Sequence, residues 1–88
     1  MKSIRRSTQF KKDYKRVKKA GKDIAELRQV IDKLAVDEVL DPKYHDHALA
    51  GDYSGYRECH LEPDWLLIYK NSSLELALIR TGSHSELF

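Results

Sequence analysis

The stretch HLEPDWLLIY, from His60 to Tyr69, decides how the chain folds. Its Pro63-Asp64 pair is turn chemistry: proline presets φ for the second position of a type I turn, and aspartate suits the third. β-prone residues flank the pair, so the spacing predicts a hairpin with its turn at Glu62–Trp65. That register sets Leu61 opposite Leu66 and Cys59 opposite Ile68. Cross-strand partners share a face, so Cys59, Leu61, Leu66 and Ile68 are expected on the core side. Tyr56, Glu58, His60, Leu67 and Tyr69 fall on the other, with Glu62 and Trp65 at the turn. This second face is too polar to be buried and too aromatic for an idle surface. A slip of one residue would exchange the faces.

Downstream, a turn at Asn71–Ser73 leads into a third strand. Leu74, Leu76 and Leu78 alternate there toward the core, and Arg80 stands at its end. The tail TGSHSELF closes at Phe88. Upstream, KSIRR (residues 2–6) reads as a short strand. Ser7 is a helix N-cap, because its hydroxyl can accept from a free first-turn amide. Phe10, Tyr14 and Val17 then fall on one helical face. Gly21 suits the left-handed position that ends a helix. Asp23 with Glu26 opens a second helix, whose stripe is Ile24, Leu27, Ile31 and Leu34. Asp41-Pro42 is expected to stop it, since proline lacks the amide and disfavours a helical residue before it. The two helices form an antiparallel hairpin with a short link.

A chain of 88 residues is one domain with one core, so residues 1–88 are treated as a single unit. No apolar run approaches the ~20 residues that span a membrane, and MKSIRRSTQF lacks the apolar region of a signal peptide. One cysteine, Cys59, cannot form an internal disulfide. These features point to a reducing cytoplasm. The net charge of +2 hides a partition: residues 1–33 carry +8 and residues 34–88 carry −6. The basic half suits a polyanion, nucleic acid first among them, or is simply a solvated helix face.

The candidate chemistry lies in the other half. Of His45, His47, His60 and His84, three sit beside turn or strand-end residues, and none lies in the basic helices. An imidazole titrates near pH 6.5 and exchanges protons at cellular pH. Converging histidines with a carboxylate and an arginine suit RNA cleavage without metal. A base takes the ribose 2′-OH proton, the oxygen attacks phosphorus, an acid protonates the leaving 5′-oxygen, and a cation steadies the charge. Each residue also has a plain reading. His45 is a loop residue, Asp64 a turn former, Trp65 a core edge and Arg80 a surface partner for Asp64. His84 could be disordered and Phe88 tucked into the core. Zinc is disfavoured: no CxxC or HxxxH spacing is present, and adjacent Cys59 and His60 should face opposite ways. No phosphate loop or Ser-His-Asp arrangement is present.

The segments DHALAGDYSGYRECHLEPDWLLIYK and RTGSHSELF resemble the RelE/ParE superfamily of bacterial toxins, and within it the YafQ branch of ribosome-dependent mRNA interferases. The resemblance covers residues 44–88 closely and the basic helices by layout. It implies an α+β, β-α-α-β-β-β RelE-like toxin domain, a mostly antiparallel sheet with two N-terminal helices packed on one face. It further implies an endoribonuclease that cuts mRNA on the ribosome, inhibits translation and is blocked by a cognate antitoxin. By position His47, His60, Asp64 and His84 match the family's catalytic residues, and Trp65 and Phe88 its supporting aromatics. In roles, His84 is the candidate acid, and His60, helped by Asp64 or His47, the candidate base. Arg80 is the phosphate-charge stabiliser on chemical grounds. Trp65 or Phe88 could stack a base. Lys11, Lys12, Lys15 and Lys18 could grip an RNA backbone. No cofactor and no metal are expected. A ParE-like gyrase inhibitor, or a module of the same fold that only binds antitoxin or RNA, is the alternative.

Overall fold

The structure, a computed structural model, describes residues 2–88. Strand β1 is Ser3–Arg6, followed by helices α1 (Thr8–Lys19) and α2 (Ile24–Ala35). After a 3-10 turn at Pro42–Tyr44 come β2 (His47–Ala48), a second 3-10 turn at Gly51–Tyr53, β3 (Arg57–Glu62), β4 (Trp65–Asn71), β5 (Glu75–Gly82) and a terminal helix α3 (His84–Leu87). The five strands form one sheet in the order β1-β5-β4-β3-β2. Only β1 and β5 run parallel; the other pairs are antiparallel. This is the expected mostly antiparallel α+β sheet with two helices on one face, extended by the short β2 and by α3.

The helix starts follow their predicted caps. The Ser7 hydroxyl accepts from the Phe10 amide at 2.9 Å, and the Asp23 carboxylate from that of Glu26 at 3.2 Å. Helix α1 ends at Gly21, in the left-handed region (φ 85°), with the amides of Gly21 and Lys22 closing onto the carbonyls of Lys18 and Val17. This pattern satisfies carbonyls that would otherwise face no donor. The same device corrects the expected end of α2. The helix stops at Ala35 rather than at Asp41-Pro42, because Asp37 turns left-handed (φ 57°). The amides of Asp37 and Glu38 then bond back to Leu34 and Lys33. Aspartate is among the few residues that tolerate this conformation. Pro42 instead opens the 3-10 turn, which Asp41 caps.

The hairpin turn falls at Glu62–Trp65 as predicted, but the register beyond it differs. The partners are Cys59 with Leu67 and His60 with Leu66, and the register shifts between His60 and Glu62. Leu61 is therefore an extra residue, a bulge in β3. The bulge leaves the faces of β3 as expected and exchanges those of β4. Trp65, Leu67 and Tyr69 join Cys59, Leu61, Phe10, Val17 and Leu27 in the main core under the helices. Leu66 and Ile68 face the other way, into a second cluster with Leu87, bordered by Leu49, Tyr53, Tyr56 and Ile79. Residues Trp65 to Tyr69 are at most 1% exposed, so β4 is buried on both faces. In β5, Leu76 and Leu78 are buried as expected, but Leu74 is 80% exposed and lies before the strand.

A carboxylate is also fully buried. Asp13 of α1 is 0% exposed. Its carboxylate accepts from the Arg80 guanidinium at 3.0 and 3.2 Å, from Arg16 at 2.8 Å, from Gln9 at 3.3 Å and from the Thr81 amide at 3.3 Å. Burial alone would push its pKa up; the hydrogen bonds from Arg80, Arg16, Gln9 and Thr81 outweigh it, and the pKa lies below the ordinary carboxylate value. Arg80 thus pairs with Asp13 and not with Asp64. Cys59 is 0% exposed, and burial pushes its thiol up to about 12. It is an inert core residue, since the thiolate is the reactive form.

Replacing Asp13 by Asn should lower the unfolding free energy at neutral pH by about 3 kcal/mol or more, the cost of breaking a buried pair. Because the folded pKa lies below the unfolded one, the ionic contribution is complete above the unfolded carboxylate range. It is lost as pH falls through the folded value. Urea melts should therefore show the gap between parent and variant narrowing below about pH 4; a gap constant into acid would refute this account.

Candidate active site

Covering Leu66 and Ile68 assembles the histidines. The short helix α3 lays Leu87, 5% exposed, over these two residues. Ser83 caps α3 by accepting from the Glu86 amide, and Glu86 accepts from the Ser83 amide at 2.8 Å. Gly82 permits the close approach, as a Cβ there would come within 2.6 Å of Arg16 Nη2. His84 is thereby placed at the first turn of α3, beside the hairpin. Its backbone amide and its Nδ1 both meet Asp64 Oδ1, at 2.9 and 2.8 Å. The same two contacts from His84 hold the exposed Asp64 carboxyl below its usual pKa. Asp64 is therefore an ionised acceptor, and His84 Nδ1–H the donor. The tail is ordered helix, not a loose end.

His60 lies on the site face of β3, with its ring centroid 5.7 Å from that of His84. Its Nε2 is 2.9 Å from Glu58 Oε1. Glu58 is buried, two residues along the same strand and so on the same face. His47, in β2, pairs with Glu58 across the strands. Its Nε2 lies 3.7 Å from the same Glu58 oxygen, and its ring is 6.1 Å from that of His60. His47 Nδ1 donates to the His45 carbonyl at 2.7 Å. The loop that carries it is anchored by Asp46, which accepts from the buried Tyr69 hydroxyl and from Arg57 Nε at 3.4 Å. His45 itself takes a left-handed backbone (φ 48°) and brings its ring to 5.7 Å from His60.

Thus His47, His60, Asp64 and His84 do come together, with one correction. Asp64 serves His84, while the carboxylate of His60 is Glu58. The expected Asp64–His60 pairing is absent because the bulge and the turn aim Asp64 at α3. Two participants were missed. Glu58 was placed on the polar face, and its i, i+2 spacing to His60 was the available signal. His45 read as a loop residue, and no local pattern foretells that its loop folds back on β3. Trp65 cannot stack a substrate base: it is fully buried, and its Nε1–H donates to Thr81 Oγ1 at 2.9 Å. Arg80 shares a face with Ile68 by register, but its guanidinium is held by Asp13. Phe88 is 60% exposed rather than tucked into the core, edge-on to Tyr53 at 5.4 Å. Lys11, Lys12, Lys15 and Lys18 are exposed on α1, which packs against the other face of the sheet.

Two imidazoles, each on its own carboxylate and with ring centroids 5.7 Å apart, are an arrangement that can take a proton at one point of a substrate and supply one at another. Glu58, His60 and His84 also offer ligand atoms that lie within 4.8 Å of one another, a donor set that suits an imidazole-favouring ion such as zinc or copper.

Comparison with known proteins gives the family. Residues 2–88 match the family described as "Bacterial toxin of type II toxin-antitoxin system, YafQ". The mRNA interferase toxin YafQ of Escherichia coli K12 is 42% identical over 86 residues, covering 97% of this chain and 94% of that one. A copper-bound L66S mutant toxin from Helicobacter pylori superposes with a TM-score of 0.95 at 43% identity, covering all of both chains. The toxin of the E. coli DinJ–YafQ complex does so with a TM-score of 0.92 at 40% identity, covering 100% of this chain and 99% of that one. The fold is that of a bacterial toxin of a type II toxin–antitoxin system. Within that class, the chain belongs to the YafQ family.

A helix of four residues has no stability of its own; beside its polar ties to Asp64 and Arg16, Leu87 is its apolar anchor. Leu87→Ala should release it. In hydrogen exchange, the His84, Glu86 and Phe88 amides should lose protection while those of β4 keep theirs. Equal loss in both, or in neither, would refute the role of Leu87.

Proposed function

We propose that the protein is an endoribonuclease toxin that cuts mRNA on the ribosome, in the cytoplasm, by metal-independent acid–base catalysis, and that a cognate antitoxin silences it. The observation that carries this reading is the His60–His84 pair, 5.7 Å apart, with a different carboxylate behind each ring. The similarity to an mRNA interferase, and to a toxin seen bound to its antitoxin, supports it.

The tautomers follow from the partners. Glu58 accepts from His60 Nε2–H, which leaves the Nδ1 lone pair as the base. Asp64 accepts from His84 Nδ1–H; in the acid role His84 is the imidazolium, with a second proton on Nε2 to give away. His60 Nδ1 takes the proton of a ribose 2′-OH. The 2′-oxygen forms a bond to the adjacent phosphorus, and the bond from phosphorus to the 5′-oxygen breaks. His84 Nε2–H protonates that departing oxygen. The products are a 2′,3′-cyclic phosphate and a 5′-hydroxyl, and no water is consumed. His47, when protonated, supplies positive charge beside the reacting phosphate. Arg80 can do so only by leaving Asp13. Phe88 beside Tyr53 offers an exposed ring on which a base can stack. The lysines of α1 face away from the histidines, so they suit ribosomal RNA rather than the cut strand, and leave the histidine face toward mRNA.

Substituting His84 by Ala should lower single-turnover cleavage of ribosome-bound mRNA by about 10²–10⁴-fold, the scale of a lost general acid. The melting transition should be almost unchanged, because the side chain is exposed. Parent fragments should carry 5′-hydroxyl ends. Retained cutting by the variant, or 5′-phosphate ends, would overturn the assignment.

An ion held by Glu58, His60 and His84 would occupy the nitrogens that must move protons. A chelator selective for transition metals should therefore leave the parent rate unchanged, and stoichiometric Cu²⁺ should inhibit. Loss of activity on chelation, restored by an ion, would show a metal-dependent reaction instead.

A further inference from the structure

His60 has a second neighbourhood that the cleavage scheme does not use. Strand β2 covers β3 only opposite Arg57 and Glu58, so from Cys59 to Glu62 the outer edge of β3 has no strand beside it. A cavity of about 380 Å³ opens there, between that edge, the 3-10 turn at Pro42–Tyr44 and the start of α2. This lies within the size range of small-ligand sites. The imidazoles of His45 and His60 form one wall. Tyr44 and Leu61, both buried, give it an apolar floor. His45 reaches this wall through a left-handed backbone (φ 48°), and strained residues of this kind cluster at functional sites.

The polar groups define what fits. Glu26 and Glu62 line the cavity. One oxygen of Glu62 is held by Lys22 at 3.0 Å, which leaves the other to accept. Two carboxylates disfavour a phosphate inside, whereas flat imidazole and phenol faces suit a heterocycle. Lys43 stands at the rim, its Nζ 5.1 Å above the Tyr44 ring, where a backbone phosphate outside the cavity would pass. Because His60 borders both the cavity and the reacting linkage, the occupant is next to the cut.

We propose that this cavity is a specificity subsite that takes the base of a nucleotide flanking the scissile phosphate, and that its carboxylates select bases bearing an exocyclic amino group over uracil. Adenine, cytosine and guanine present amino donors to Glu26 and Glu62. Uracil has no amino group; its one edge donor, N3–H, is flanked by two carbonyl oxygens, which the carboxylates repel. The proposal rests on the endoribonuclease reading for its substrate, not for its cavity.

The test uses ribosomes programmed with mRNAs that differ only in the two nucleotides flanking the cut. For the parent, kcat/KM should fall by about tenfold when uridine replaces an amino-bearing base at one flank, the scale of a lost base-edge pairing. In E26A/E62A this ratio should collapse toward one. Both side chains are partly exposed and their loss should not unfold the protein, which a melting curve checks. A parent indifferent to uridine at both flanks, or a double variant that keeps the parental ratio, would overturn the subsite. If the parent cuts no RNA at all, the endoribonuclease reading fails first. NMR titration with adenosine and uridine 5′-monophosphates then decides the subsite alone. Adenosine monophosphate should shift the Glu26, His45 and His60 signals at lower concentration than uridine monophosphate, and equal or absent shifts would overturn it.

Discussion

The arrangement depends on burying β4 from both sides. A strand with Leu66 and Ile68 on one face and Trp65, Leu67 and Tyr69 on the other cannot lie over a single layer of helices. Each large apolar side chain left in water would cost about 1.5–3 kcal/mol. The helices cover one face. The other must be covered by what remains of the chain, namely the segment from Leu49 to Tyr56 and the last turn through Leu87. Those pieces carry His47 and His84 with them. The site is thus a by-product of closing a second, small core, and its histidines meet because the leucine and isoleucine beneath them need a roof.

The Asp13 cluster fixes the opposite end of the same unit. A carboxylate buried in α1 receives Arg80, Thr81 and Arg16, and Arg16 also pairs with Glu86 of α3 at 2.8 Å. The last residues of β5 and the cap of α3 are therefore tied to the first helix. Thr81 passes the tie onward, accepting from Trp65 and donating to the Leu66 carbonyl at 2.7 Å. Arg16 and Arg80 are drawn onto Asp13, while Lys11, Lys12, Lys15 and Lys18 stay outward on α1.

Elements governed by local chemistry were legible in the chain. Ser7, Asp23, Gly21 and the Pro63-Asp64 turn each act through a hydrogen bond or a backbone preference spanning a few residues, and each falls where expected. The failures are of longer range. The bulge at Leu61 adds one residue between a correctly read turn and a correctly read strand, and no propensity separates it from regular pairing. It decided which side of β4 met the helices, and so Trp65 was taken for a platform. The end of α2 was missed because Asp37 can turn left-handed, and the proline further on looked the stronger signal. Arg80 and Asp64 were each given a partner near the turn; their actual partners are 67 and 20 residues away. The histidines' clustering near one end of the hairpin was legible, but which of them meet was given by the family's motif, since His47 and His84 reach His60 by tertiary covering alone.

Two equivalent histidines would make a poor catalyst for a reaction that needs one proton removed and another supplied. On the proposed scheme they differ in protonation, His60 neutral and His84 the imidazolium, and each is oriented by its own carboxylate. Glu58 is buried under its ring, close to His47 as well, and accepts at Nε2; Asp64 is exposed, held ionised by two bonds from His84, and accepts at Nδ1. The rings consequently present different nitrogens, His60 its Nδ1 and His84 its Nε2, to the space between them. A related fold without this asymmetry could bind the same partners and cut nothing. On the proposed reading, catalysis therefore lies less in the count of histidines than in two placements: Glu58 on the site face of β3, and Asp64 aimed by the hairpin turn at α3.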